Sequence, residues 1–342
     1  VEKNPMILLR HSAVALALVF SLLAVSVAWT ATEGPRQWQR EWPRTDFSRT
    51  SVDFKEIQSG GPPKDGIPSI DQPRFVPLVE ATDLQPEEAV ISLVVAGEAR
   101  AYPLRILMWH EIVNDVVAGV PVAVTYCPLC NTSIVFDRRL DGRILDFGTT
   151  GKLRHSDLVM YDRQTESWWQ QFGGDAIVGE LTGRSLEMLP SRLESFASFR
   201  ERAPAGRVLI PDRPGSRAYG TNPYVGYDRA TRPFLFAGPL PEGVAAMMRV
   251  VAVGERAWAL PLVRERELIE ADDLRIHWRP GQVSALDTAD ITQGAEVGNV
   301  VVQRRGEDVP YVVTFAFAFF AFHPDGVLHT QDGPIRQRSS GE

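Results

Sequence analysis

Cys127 and Cys130 are the only two cysteines in a chain of 342 residues, and only Pro128 and Leu129 separate them. Two thiols at this spacing can chelate one metal ion, close into a small disulfide, or act as nucleophile and resolving partner. A turn of this kind can aim both thiolates, and its own backbone N–H groups, at a single ion. No further cysteine exists to complete a four-thiolate set, so other ligands must be His, Asp, Glu or Met. His110 and His155 are the two candidate histidines, and Met160 is a soft alternative whose place in a strand suits core packing better. Glu111, beside His110, is placed to act as a base or as an outer partner of a bound ligand. Asp115, Asp137, Asp157, Asp162 and Glu166 are further carboxylates, of a kind common around polar turns. Zinc, iron and copper all suit mixed sulfur and nitrogen ligands.

The elements that must hold these groups read as mostly β. Residues 89–95 form an apolar strand ended by Gly97. Residues 102–115 read as a helix with Pro103 in its first turn and Leu104, Leu107 and Met108 on one face. On that helix His110 stacks on Asn114, and Glu111 on Asp115. Gly119 then precedes a strand over 122–126, so the cysteines fall in a tight strand-to-strand turn and do not open a helix. Asp141-Gly142 marks a hairpin, and residues 163–166 mark another turn before Trp168 and Trp169. As strand neighbours these two face opposite sides, so at least one belongs in the core. Ser191 and Glu194 read as a capping box for a short helix ending at Arg202, before Pro204.

Composition is that of a globular protein, with 44% hydrophobic and 23% charged residues, and the net charge is −7. Scattered arginines on an acidic chain argue against nucleic acid or an anionic membrane surface as the partner. Residues 12–32 carry no charge, follow Arg10, and offer small residues for cleavage after Ala28. Residues 1–28 therefore read as a signal peptide, with Met6 a plausible start. The alternative is an uncleaved membrane anchor, the one route by which the chain would meet a membrane. Either way the protein is expected outside the cytoplasm, periplasmic or secreted. There an unprotected Cys-x-x-Cys tends to close into a disulfide.

Residues 29–77 are rich in Pro, Gly and Ser and read as a linker or extended arm. A cysteine-bearing part (78–212), a second β-rich part (213–330) and a polar tail (331–342) follow. The two parts share weak echoes: residues 94–102 with 251–258, and 121–126 with 310–315. The second echo sets Cys127 and Cys130 opposite Ala316 and Phe319. The fold class expected is α+β and β-rich, with strands, hairpins and a few short helices, arranged as two related halves or as unrelated β segments.

Residues 109–115 (WHEIVND), 125–130 (TYCPLC) and 157–163 (DLVMYDR) together resemble the DUF3179 family, bacterial and archaeal proteins, often exported, without an established function. The resemblance spans roughly 73–329. It implies a centre at His110, Glu111, Cys127 and Cys130, and no reaction, cofactor or substrate. Asn131 stands where Gly is expected in many relatives. His155 occupies a position where the family does not call for histidine, which counts against an essential role.

Three functions stay open on these residues. The first is a transition-metal or redox site built on the cysteines and His110. The second is a thiol–disulfide oxidoreductase in which Cys127 attacks and Cys130 resolves, with a small molecule or redox partner. The third is a binding protein with a structural disulfide. The absence of a helix N-terminus behind Cys127 counts against the second.

Overall fold

Short runs of β-branched and aromatic residues, broken by Gly, Asp and Pro, favour many small strands. The computed structural model, described over residues 35–337, is β-rich with a few α-helices of seven residues each. Five sheets of four or five strands are arranged like the blades of a propeller. The apolar segment 12–32 lies outside the described residues. Among the described residues no helix is long and apolar enough to cross a membrane.

Two pairs of sheets are built alike. One five-stranded sheet has the order Ser191–Ser195, Ala89–Val95, Glu98–Pro103, Arg207–Ile210, Arg74–Pro77. Another has the order Val312–Phe315, Arg249–Val253, Arg256–Ala259, Val327–Thr330, Gly333–Ile335. In both, only the third and fourth strands pair in parallel. Each continues through a helix, Leu104–His110 or Leu260–Arg266, into a four-stranded sheet. The likeness reaches single residues. Glu111 (φ 58, ψ −32) and Glu267 (φ 57, ψ −33) end the two helices in the same conformation. Their carbonyls accept from Tyr126 and Trp278, both at 2.8 Å. Gly206 and Gly326 each admit a buried ring so closely that an added Cβ would lie 2.6 Å from Phe199 or 2.7 Å from Phe319.

These matches correct the second echo. The partner of 310–315 is 190–195, since both strands lie against the first strand of their own half and lead into a helix. Hence Ala316 and Phe319 answer to Phe196 and Phe199, while Cys127 answers to Arg279. The misalignment has a simple cause: an apolar strand after a proline looks much like any other.

Other differences are local. The helix stops at His110, because Glu111 turns the chain and Ile112–Val117 pairs with Val120–Cys127. Alternating β-branched residues there favour strand. His110 and Asn114 are therefore not one helical turn apart. Residues Ser191–Ser195 are strand, and the cap of the next helix is Ser195, whose hydroxyl accepts from the Ser198 N–H. Trp168 and Trp169 are both fully buried, on opposite faces and in different apolar clusters. The Pro/Gly-rich stretch 35–77 is an arm laid on the body and not a free linker. It buries Trp38 and Trp42 beside Trp168, and pairs Ile57–Ser59 with Phe147–Arg154.

The fifth sheet has no counterpart. It comprises Ile57–Ser59, Phe147–Arg154, Asp157–Asp162, Trp168–Gln170 and Ala176–Val178. Apart from its first strand, it is inserted between Thr132–Asp137 and Met188–Leu189. The matching strands of the other half, Asn299–Arg304 and Glu307–Asp308, are joined by a two-residue turn.

Candidate metal centre

Strands Val120–Cys127 and Thr132–Asp137 form a hairpin in which Cys127 pairs with Thr132, so both cysteines sit in its turn as expected. Asn131 closes the turn in the left-handed region (φ 54), with its N–H donating to the Pro128 carbonyl at 3.2 Å. The backbone N–H of Cys130 donates to the Cys127 sulfur. This is the knuckle arrangement in which a turn offers two sulfurs to one point. The sulfurs lie 3.1 Å apart, and both cysteines are free and buried.

The inserted sheet brings the third group. Its hairpin turns at His155 (φ 53) and Ser156 (φ 66), a pair of left-handed residues typical of the tightest two-residue turns. That turn points the Ser156 carbonyl at the thiols, 3.3 Å from Cys130 Sγ and 3.7 Å from Cys127 Sγ. It also starts the next strand with Asp157, whose Oδ1 accepts from the Cys130 thiol at 3.0 Å. The other carboxylate oxygen of Asp157 accepts from the Phe172 N–H at 2.9 Å and from the Gln170 amide. Ligand atoms of Cys127, Cys130 and Asp157 all lie within 4.8 Å of one another, and all three residues are buried.

Glu111 is the fourth acidic group. It is 8% exposed, and among the described residues its carboxylate has no hydrogen bond or ion pair. Burial, and then the charge of Asp157, raise its pKa to about 8. Burial raises Asp157 to about 6 against the pull of its hydrogen bonds. Burial pushes both thiols up, with the Asp157 charge adding to each and Glu111 adding to Cys127. Among the described residues no lysine or arginine is hydrogen-bonded or ion-paired to any of the four. Burial is thus the main force opposing ionisation at all four, and a bound cation would favour the ionised form of each.

Neither histidine joins this set. His110 has both ring nitrogens engaged, Nδ1 with the Pro68 carbonyl and Nε2 with the Tyr219 hydroxyl, each at 2.8 Å. His155 sends Nε2 to Glu56 at 3.4 Å and packs edge-on to Phe322. Its backbone shapes the turn that presents Ser156 and Asp157. Glu111 ends its helix with its carbonyl accepting from the N–H of Tyr126, the residue before Cys127. Asp157 is the residue that spacing alone did not single out. The available signal was its place at the head of the third motif, since each of the three motifs delivers one part of the cluster.

The second half supports the turn. The Cys130 carbonyl accepts from the Thr314 hydroxyl at 2.9 Å and from the Phe315 N–H at 3.3 Å. A long loop after Ile210 also approaches: the Ser156 hydroxyl donates to the Phe234 carbonyl.

No curated protein and no solved structure matches this chain. One family model does match, over residues 64–326, and that span contains all three motifs of the cluster. The chain belongs to the DUF3179 family, whose members are described as proteins of unknown function.

Proposed function

We propose that Cys127, Cys130 and Asp157 hold one thiophilic divalent metal ion of the first transition row. The observation that carries this reading is the buried group of two thiols and the Asp157 carboxylate, with no cationic partner among the described residues. An ion stabilises the ionised form of every donor at once and offsets the burial that now opposes it. Two sulfurs and one carboxylate oxygen suit zinc or iron(II) better than hard ions such as magnesium or calcium. Met160, His110 and His155 are not needed for it.

Reconstitution tests the reading. The full chain, reduced and stripped with a chelator, is loaded with Zn²⁺ or with Co²⁺ as a spectroscopic probe. One ion per chain and a thiolate-to-cobalt absorption band are expected, with both lost in Cys127→Ser. Absence of stoichiometric metal and of that band in the unaltered chain would overturn it.

The closeness of the sulfurs also favours a second reading, a dithiol that closes into a disulfide with release of two protons and two electrons to an external acceptor. The buried thiols with raised pKa values weigh against Cys127 as the attacking group. The charge-free segment 12–32 supports work outside the cytoplasm. A metal-filled site would there protect the thiols from oxidation.

A further inference from the structure

In the first half, the inserted sheet sets Gln171 against the thiol hairpin. The Gln171 amide oxygen accepts from the Thr132 hydroxyl at 2.7 Å, and its nitrogen donates to the Thr125 hydroxyl at 2.9 Å. In the matching hairpin of the second half, His277 and Asn299 stand in the places of Thr125 and Thr132. No inserted sheet covers them. A cavity of about 450 Å³ lies there instead, with that hairpin as its floor and Ser191–Ser195 and the helix Phe196–Arg202 as its wall. Its size falls within the range of about 300–1,000 Å³ usual for small-molecule sites. We propose that this cavity binds a small polar molecule through a single carboxylate, with Arg279 as the anchor. The proposal shares no residue with the metal reading and does not depend on it.

Side chains alternate along a strand, so His277 and Arg279 share the cavity face while Ile276 and Trp278 are buried on the other. Arg279 is exposed, and among the described residues its guanidinium makes no hydrogen bond or ion pair. Two more guanidiniums belong to the wall, each held by a carboxylate. Arg192 donates through Nε and Nη2 to Asp308 at 2.6 and 2.7 Å. Arg202 donates through Nη2 to Ser92 at 2.9 Å and to Glu194. Nη1 of both has no hydrogen-bond partner among the described residues. Floor and wall are tied together by Asn299, whose Oδ1 accepts from the Ser195 N–H at 2.6 Å.

Charge selects the ligand class. Glu194 and Glu201 also line the cavity, and with Asp308 they set three carboxylates against three guanidiniums. A dianion such as phosphate meets those carboxylates and is disfavoured. Glu201 makes no ion pair with Arg279, so that guanidinium is left for a ligand. One carboxylate matches it, in the two-pronged geometry that arginine favours. The Ser198 hydroxyl and the His277 ring offer hydrogen bonds to the rest of the molecule, which suits hydroxyl, amino or amide substituents.

The test is isothermal titration of the full chain, stripped of metal, with three monocarboxylates of increasing size: glycolate, glutamine and gluconate. Sorbitol and inorganic phosphate are the comparisons. At least one carboxylate is expected to bind saturably at one per chain, more tightly than sorbitol or phosphate. Arg279→Gln should weaken it about 10- to 100-fold, as loss of a charge-assisted pair of hydrogen bonds. Arg275→Gln is the control, since Arg275 lies on the same strand face, pairs with Glu270 and stays outside the cavity. It should leave binding unchanged, as should Cys127→Ser. The proposal is overturned if none of the three carboxylates binds, if phosphate binds more tightly than they do, or if the two arginine variants lose affinity equally.

Discussion

Glu111 and Glu267 share a backbone conformation and the same two backbone hydrogen bonds, yet one is buried among acids and the other is exposed. The comparison separates what the fold demands from what the site demands. A left-handed glutamate after a short helix occurs in both halves, so that strain belongs to the shared architecture. What sets the first half apart is different. Thiols stand where the other half begins a long excursion after Arg279, and an inserted sheet brings Asp157 over the turn.

The largest expected contrast concerns metal. Cys127→Ser should take bound Zn²⁺ from one per chain to none, while Arg279→Ala at the matching position leaves it unchanged. Elemental analysis after gel filtration reads both. Equal loss in the two variants would erase the distinction between the halves.

Next are the paired rings. Phe199→Ala and Phe319→Ala each vacate a fully buried site against the matching Gly206 or Gly326. Each should cost about 3–5 kcal/mol in denaturant unfolding. A gap of several kcal/mol between them would show that the likeness is one of outline only.

The acids differ in their response to pH. Glu111 has a folded pKa of about 8, against an ordinary value of 4.5. The folded metal-free protein therefore holds a proton that the unfolded chain releases, and stability falls as pH rises from about 4.5 to about 8. The slope approaches 1.4 kcal/mol per pH unit for a single group. Glu111→Gln should flatten that part of the curve, while Glu267→Gln leaves it intact. Urea melts of the stripped protein at several pH values measure it.

The smallest effect is at the helix caps. Ser195 accepts from the Ser198 N–H, whereas Phe315 at the matching position makes no side-chain cap. Ser195→Ala should cost about 1 kcal/mol, and thermal melts should register it as a modest drop in Tm.

Much of this contrast was legible from local chemistry. Asp141-Gly142 marks its hairpin, and the cysteine turn lies between the two strands that bracket it. Signals of this kind depend on a few neighbouring residues. Other features depend on partners far away in the chain. Residues 102–115 carry apolar positions that suit a helix for one turn and a strand afterwards, and only pairing with Val120–Cys127 decides where one yields to the other. Trp38 and Trp42 look unremarkable in a Pro/Gly-rich stretch until Trp168 and Tyr161 are set against them. Asp157 resembled any turn carboxylate, because what distinguishes it is a sulfur 27 positions away in sequence. The histidines were attractive for their chemistry, but carbonyl, hydroxyl and carboxylate neighbours had already claimed them.

The two hydrogen bonds from Thr314 and Phe315 to the Cys130 carbonyl also bear on how the protein is made. A chain emerging from the ribosome finishes its thiol turn nearly two hundred residues before these donors appear. Until then the turn lacks these two hydrogen bonds of its brace. The duplicate half, which has no thiols of its own, thus acts as a late-arriving clasp.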